Sequence, residues 1–403
     1  MMKIAILGYG TVGGGIAKVL DTNKGKIRAR LGEELTLAYI LDLRDFPDDP
    51  HADLVTKSFD DIYQDPSVRV ICETMGGLTP AYEYTKRALS AGISVCTSNK
   101  ELVAAHGPEL VALARKNHCS YLFEASVGGG IPLLRPFSTS LMHERIDRVT
   151  GVLNGTTNYI LTRMEEGDSF DTALQRAQKK GYAEKNPTAD IEGHDAARKI
   201  SILATLAGGA YVSPDEVRTE GITKLTEQDF RYAADGGYVI RLVARALLDG
   251  GSAGVLVAPH LVPQEHPLAQ VYDVFNACIV HGNMLGNVMF YGRGAGRDAT
   301  ASAVVSDMID ALLHDGEHVF VNLDGTPALR MDDDRMKARF FVRVDVAEKA
   351  AAVRAFGEDL TFMESRSVHG EWAFITPPMS EADFADALAR VEDVRGFLRV
   401  LDV

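Results

Sequence analysis

Lys3-Ile4-Ala5-Ile6-Leu7-Gly8-Tyr9-Gly10-Thr11-Val12-Gly13 is an apolar run followed by a glycine turn, and Ile16, Val19 and Leu20 behind it carry a helical pattern. A strand that enters a helix through Gly-x-Gly-x-x-Gly has a physical purpose. The first glycine makes the turn, the second lets the backbone approach a pyrophosphate, and the third lets helix and strand pack, with the phosphates on the helix N-terminus. Gly8, Gly10 and Gly13 occupy those places, and Thr11 and Val12 stand at the helix start. The same spacing can serve a turn without a ligand, but its position between strand and helix favours a dinucleotide. Further apolar runs follow at 35–41, 68–72, 93–97 and 120–123, with helical stretches near 79–91 and 101–117. Alternating strand and helix predicts an α/β, doubly wound parallel sheet of Rossmann type with right-handed crossovers.

Beyond residue 135 the rhythm changes. Strands are expected at 145–154, 238–248, 275–281 and 286–291, mixed with helices near 157–166, 170–180 and 194–208, which predicts a second, α+β domain over 135–294. Gly292-Arg293-Gly294-Ala295-Gly296 leads into a helix over about 299–314 that could return the chain to the first domain, giving that domain residues 1–134 plus about 295–325. Asp332-Asp333-Asp334 marks a linker. The remaining 335–403 reads strand 338–346, helix 348–356, strands 360–366 and 371–376, helix 380–392 and strand 395–402, a small ferredoxin-like βαββαβ domain.

A chain of 403 residues with 46% apolar content can fill two or three conventional cores. Its net charge of −14, with Lys and Arg scattered among acids, argues against a nucleic-acid or anionic-membrane partner and leaves small polar substrates open. Cys72, Cys96, Cys119 and Cys278 show neither close pairing nor metal-ligand spacing, so they are expected to be reduced and buried. A strand beginning at the third residue leaves no room for a signal peptide, and no apolar run approaches the roughly 18 residues of a membrane span. The expectation is a soluble, cytoplasmic protein.

The chemistry concentrates in 181–199, which holds Glu184, Asp190, Asp195 and Lys199 in a turn and the first turns of a helix. Asp195 and Lys199 are spaced i, i+4 and share a face with the apolar Ile202, Leu203 and Leu206. A helix ion pair would explain the two charges; a carboxylate and an amine held where water is scarce would also suit substrate binding and proton transfer. After the second strand, Asp42-Leu43-Arg44 points two ways, since an acid there can hold the ribose hydroxyls of NAD and an arginine can accept the extra phosphate of NADP. The gap from Gly13 to Asp42 also exceeds the usual span of about twenty residues. Thr97-Ser98-Asn99-Lys100 ends another strand, which places Asn99 and Lys100 near the nicotinamide end of a cofactor or makes Lys100 an exposed residue at a helix start. Glu124-Ala125-Ser126-Val127-Gly128-Gly129-Gly130-Ile131-Pro132 is either a flexible hinge or, with the Glu124 carboxylate and freed carbonyls, an all-oxygen site for a hard cation.

These motifs closely resemble the homoserine dehydrogenases. The matching stretches are Gly8 to Gly13, Thr97-Ser98-Asn99-Lys100, 123–132, 151–161 with Asn154-Gly155-Thr156-Thr157-Asn158, 181–199 and Gly294-Ala295-Gly296, in family order over about 3–315. The resemblance implies interconversion of L-homoserine and L-aspartate 4-semialdehyde with NAD or NADP, in the biosynthesis of threonine, methionine and isoleucine. It implies a homodimer joined through the second, catalytic domain, with a higher oligomer through the C-terminal domain left open. Carried over, Gly181 and Glu184 would hold the substrate amino group with Asp190 and Asp195 nearby. Lys199 would move the proton of the substrate oxygen, and Lys100 would assist between cofactor and substrate. Gly294 and Gly296 would join Gly8, Gly10, Thr11, Val12, Gly13, Asp42, Arg44 and Asn99 on the cofactor. Glu124, with backbone oxygens of Val127, Gly129 and Ile131, would match the family's sodium site. A lysine with a depressed pKa would serve the proton step.

The tail departs from the family pattern. An ACT-like regulatory domain usually carries a Pro-Gly pair in its first loop, and this chain reads Asp345-Val346-Ala347-Glu348 there. The expectation is an ACT-like fold with weak or absent threonine feedback. Two other functions stay open: another semialdehyde oxidoreductase, which would need a nucleophilic cysteine at a strand end, and a catalytically silent NAD(P)-binding sensor.

Overall fold

A computed structural model describes residues 2–402. Met1 and Val403, the outer ends of the first and last expected domains, lie outside the described residues. The first part alternates strand and helix: β1 (Met2–Leu7), α1 (Thr11–Thr22), α2 (Lys24–Leu31), β2 (Leu35–Leu41), β3 (Val55–Thr56), α3 (Phe59–Tyr63), β4 (Val68–Glu73), α4 (Ala81–Ser90), β5 (Ser94–Thr97), α5 (Lys100–Lys116) and β6 (Tyr121–Leu122). Every pairing is parallel, in the order β3-β2-β1-β4-β5-β6. Ile4, Ala5, Ile6 and Leu7 are all buried, because a strand with helices on both faces needs an unbroken apolar run. The strand order reverses between β1 and β4, which opens a crevice at their carboxyl ends. The long gap between Gly13 and Asp42 is filled by α2, an extra helix between α1 and β2.

The second part contains α6 (Arg135–Ser138), β7 (Ile146–Val152), α7 (Gly155–Glu165), α8 (Phe170–Lys179), α9 (Thr188–Ile191), α10 (His194–Gly208), β8 (Arg218–Thr219), α11 (Glu227–Asp235), β9 (Tyr238–Asp249), β10 (Ser252–Pro263), β11 (Phe275–Gly282), β12 (Gly286–Arg293) and α12 (Arg297–Leu313). Helix α12 packs on α1 so closely that a Cβ on Gly15 would stand 2.9 Å from the Ala301 Cβ. The four cysteines are free and buried, with Cys72 in β4, Cys96 in β5, Cys278 in β11 and Cys119 just ahead of β6.

The tail follows as β13 (Leu329–Arg330), β14 (Arg339–Asp345), α13 (Lys349–Phe356), β15 (Thr361–Met363), β16 (Glu371–Ile375), α14 (Glu381–Leu388) and β17 (Val394–Val400). From β14 onward the order is βαββαβ. It does not stand apart as a separate sheet: one 11-stranded sheet runs β12-β11-β7-β9-β10-β17-β14-β16-β15, with β8 and β13 also on β10. The joint is β10, a strand missing from the sequence reading. Its run contains Gly254, Pro259 and Pro263, residues that count against a central strand. Strand β17 lies parallel to β10 through His260↔Arg399 and Leu261↔Val400. Buried arginines seal the seam: Arg399 donates to Glu220 and Glu381, and Arg343 to Asp229 and Glu371.

Candidate active site

The glycine turn has the geometry that its spacing predicts. Gly8 adopts φ +88°, and a Cβ on Gly13 would fall 2.0 Å from the Gly8 carbonyl oxygen, so helix and turn meet where no side chain fits. Gly10 has open space where its Cβ would point. It begins α1 without any side-chain cap, which leaves the first-turn N–H groups of Thr11, Val12 and Gly13 to a ligand. Gly296, at φ +120°, starts α12 beside this helix, and Arg297 of α12 donates to the Gly14 carbonyl.

Asp42 leaves β2 directly under the turn. Its Oδ2 accepts from the Tyr9 N–H at 2.8 Å and from Arg44 Nη2 at 2.8 Å, while Oδ1 accepts the Arg44 N–H and Nε. Those bonds fill both oxygens. The Arg44 side chain, with the backbone donors, holds Asp42 well below the usual carboxylate range.

At the carboxyl ends of β4 and β5 the chain brings Asn99 and Lys100 to the crevice. Asn99 caps α5, its Oδ1 accepting from the Leu102 N–H, and its amide donates to the Gly77 carbonyl at 2.6 Å. Lys100 is the first residue of α5 and reaches Asp195 Oδ1 at 3.0 Å. Lys199, one helical turn beyond Asp195 on α10, reaches Asp195 Oδ2 at 2.7 Å and donates to the Leu153 carbonyl at 2.8 Å. Asn154 completes the group: its amide donates to Asp195 at 2.8 Å and to Asp190 at 2.7 Å, and its Oδ1 caps α7 through the Thr157 N–H. Two lysines from different helices, α5 and α10, therefore share one buried carboxylate.

A family model described as the homoserine dehydrogenase NAD binding domain matches residues 8–124, and one described as homoserine dehydrogenase matches 132–309. The homoserine dehydrogenase of Bacillus subtilis is 36% identical, covering 98% of this chain and 95% of its own. The chain belongs to the homoserine dehydrogenase family. The crystal structure of a homoserine dehydrogenase from Thiobacillus denitrificans is similar throughout, with a TM-score of 0.90 at 32% identity over 100% of this chain and 98% of that one. A hyperthermophilic archaeal homoserine dehydrogenase in complex with NADPH has a TM-score of 0.67 at 31% identity, covering 77% of this chain and 98% of its own. The protein is accordingly an NAD(P)-dependent oxidoreductase with a nicotinamide-cofactor domain. Glycine turn and Lys100 fall within the first matched stretch of the homoserine dehydrogenase family, and Asn154, Asp195 and Lys199 within the second.

Burial alone would raise Asp195, but the two ammonium groups of Lys199 and Lys100 and the Asn154 amide hold it far below an ordinary carboxylate. Asp195 in turn raises Lys100. At Lys100 the charge of the carboxylate outweighs desolvation. Asp190 is raised, by burial first and by the Asp195 charge second. Gly181, at φ +73°, and Glu184 are exposed and stand outside the cluster. Gly294 lies against the Asn276 side chain and Gly129, where the chain crosses back towards α12.

Glu124 opens the glycine-rich loop 124–132 and is buried. Its carboxylate accepts from the N–H groups of Leu133, Leu134 and Arg135 at 2.5, 2.8 and 2.7 Å, anchoring the start of α6. The carbonyls of Val127, Gly129 and Ile131 accept none of the loop's hydrogen bonds. Among the described residues, no group of three or more His, Cys, Asp and Glu gathers in a metal-binding arrangement. Asn154 was not assigned a role from sequence. Its signal was an Asn ahead of Gly-Thr-Thr at a strand-to-helix junction, an N-cap signature.

Proposed function

We propose that the reaction takes place where Lys100 and Lys199 converge on Asp195, with Lys199 as the proton donor and acceptor for the substrate oxygen. The bound nicotinamide supplies hydride chemistry, and the open glycine turn with its uncapped helix fits its pyrophosphate. The protein must then fix the carbinol carbon and move one proton. In the reductive direction Lys199 gives a proton to the oxygen of L-aspartate 4-semialdehyde, and in the oxidative direction it takes that proton from L-homoserine. Lys100, kept charged by Asp195, supports the developing negative charge on the same oxygen. The substrate ammonium is held by Glu184 and the Gly181 backbone, with Asp190 and Asp195 behind them. Carrying this reading is one observation: a single buried carboxylate bridges lysines contributed by both matched stretches.

Asp42 is already saturated by Tyr9 and Arg44, so it has no oxygen left for ribose hydroxyls unless Arg44 leaves. This supports NADP as the preferred cofactor, with Arg44 on its extra phosphate. A sodium ion would rest on the carbonyls of Val127, Gly129 and Ile131 and not on the Glu124 carboxylate. The active form is a homodimer through the sheet-rich second part. Four buried, free cysteines suit a reducing cytoplasm. The tail is ACT-like without a working effector cradle: between β14 and α13 the chain makes a tight turn over Val346–Glu348, tied by Asp345 accepting from the Ala347 N–H.

Nicotinamide absorbance with L-homoserine and either NAD+ or NADP+ at alkaline pH tests the reading. The expected result is reduction, with NADP+ the better cofactor. Dinucleotide binding without reduction of either cofactor would favour a silent sensor. Millimolar threonine should leave the rate unchanged; inhibition would restore a regulatory cradle to the tail.

A further inference from the structure

Glu73 ends β4 with no exposed surface, and among the described residues no lysine or arginine pairs with it. Four donors converge on it instead. Its Oε1 accepts the Met75 N–H at 2.8 Å and its Oε2 the Thr97 hydroxyl at 2.5 Å, and the Gly76 N–H and the Asn99 side chain also contribute. A buried carboxylate without a counter-charge is costly, and at a purely structural position a smaller or neutral residue would avoid that cost. Its use lies in what it joins.

On one side, the loop that Glu73 gathers is bound to the glycine turn. Thr74 donates its N–H to the Leu7 carbonyl and its hydroxyl to the Gly8 carbonyl at 2.8 Å. On the other side, the Thr97 hydroxyl that donates to Glu73 accepts the Asn99 N–H at 2.9 Å. Asn99 then caps α5 and ties back to Gly77, and the next residue is Lys100.

We propose that Glu73 is a positioning residue, setting the start of α5 so that the Lys100 amine meets Asp195. The inference rests on the reading of Lys100 as part of the reacting site. Glu73 touches neither reacting atoms nor phosphates; it acts through Thr97 and Asn99.

The test compares Glu73→Gln, Thr97→Val and Thr97→Ser in the full chain, each with and without Lys100→Ala. Glu73→Gln and Thr97→Val should lower kcat about 10- to 100-fold, the scale of a misplaced catalytic group, while dinucleotide Kd holds and Thr97→Ser restores the rate. With Lys100 already removed, Glu73→Gln should cost nothing further. Equal losses in both backgrounds, or a loss of Kd matching that of kcat, would overturn the proposal. A second readout is independent of turnover. NMR titration of the Lys100 amine should move down towards an ordinary lysine in Glu73→Gln and Thr97→Val, and an unmoved titration in both variants overturns the proposal even if the rate has fallen. A wild type that binds dinucleotide but leaves L-homoserine unoxidised would refute the dehydrogenase reading, and the Lys100 titration would still decide the role of Glu73.

Discussion

The glycine turn at Gly8 to Gly13 and the lysine cluster around Asp195 are built by opposite means. The turn depends on missing side chains: one methyl group on Gly13 would collide with the Gly8 carbonyl, and Gly10 keeps its space open. The cluster depends on charge delivered from separate elements, Lys100 by α5, Asn154 by α7, Asp190 by α9, and Asp195 with Lys199 by α10. A close contact within six residues shapes the turn, which Asp42 and Thr74 tie to β2 and β4, whereas packing of α10 against α5 and β9 fixes the cluster. A single substitution should therefore damage the turn sterically and the cluster electrostatically. The two kinds of damage are separable.

The largest effect is expected from Asp195→Asn. Removing the partner of a buried pair costs about 3–5 kcal/mol, because Lys199 and Lys100 would face each other without their carboxylate. Asp195 raises Lys100, so its loss should lower that amine and move the alkaline limb of kcat/KM to lower pH. The acid side has the opposite sign. With its folded pKa depressed, Asp195 contributes stability above the unfolded value of about 3.9 and loses it as pH falls further, so wild type should lose stability more steeply in acid than the Asn variant. Denaturant melts across pH would show a parallel slope in the two proteins if the cluster were not coupled in this way.

Gly13→Ala comes next, at about 1–3 kcal/mol of overpacking, with dinucleotide binding lost in proportion. Gly10→Ala sharpens the contrast. Its φ of −86° and open surroundings should keep the melting temperature near wild type, while dinucleotide affinity falls about tenfold, or 1.4 kcal/mol. A large drop in melting temperature for Gly10→Ala would mean that the turn is closed to ligand. Glu184→Gln should be the mildest, about 1 kcal/mol or less, seen as a higher KM for L-homoserine with unchanged stability, since the carboxylate is exposed.

The same contrast explains what the sequence could disclose. Gly-x-Gly-x-x-Gly after Ile4–Leu7 is a local pattern, and it led directly to the parallel sheet. Asp195 and Lys199 were legible because four residues separate them on one helix, and because their shared face runs into Ile202 and Leu203. Lys100 could be placed at a strand end, but its contact with Asp195 spans almost a hundred residues. Asn154 had no role assigned to it, and nothing local showed its amide reaching Asp190 and Asp195. Glu124 and Gly128-Gly129-Gly130 share one short stretch, which suggested a cation site; the amides of Leu133 to Arg135 that bind its carboxylate come from the next turn of the chain. Strand β10 hid behind its two prolines, and without it the tail had nothing to join.

The central claim is that Lys199 moves the substrate proton while the glycine turn holds the cofactor independently. Lys199→Ala measures it most directly, by comparing kcat for L-homoserine oxidation with dinucleotide Kd on the same sample. The account predicts a fall in kcat of about 10²- to 10⁴-fold, the range for losing a general acid or base, with Kd unchanged. Equal losses in both quantities, or a kcat close to wild type, would contradict it.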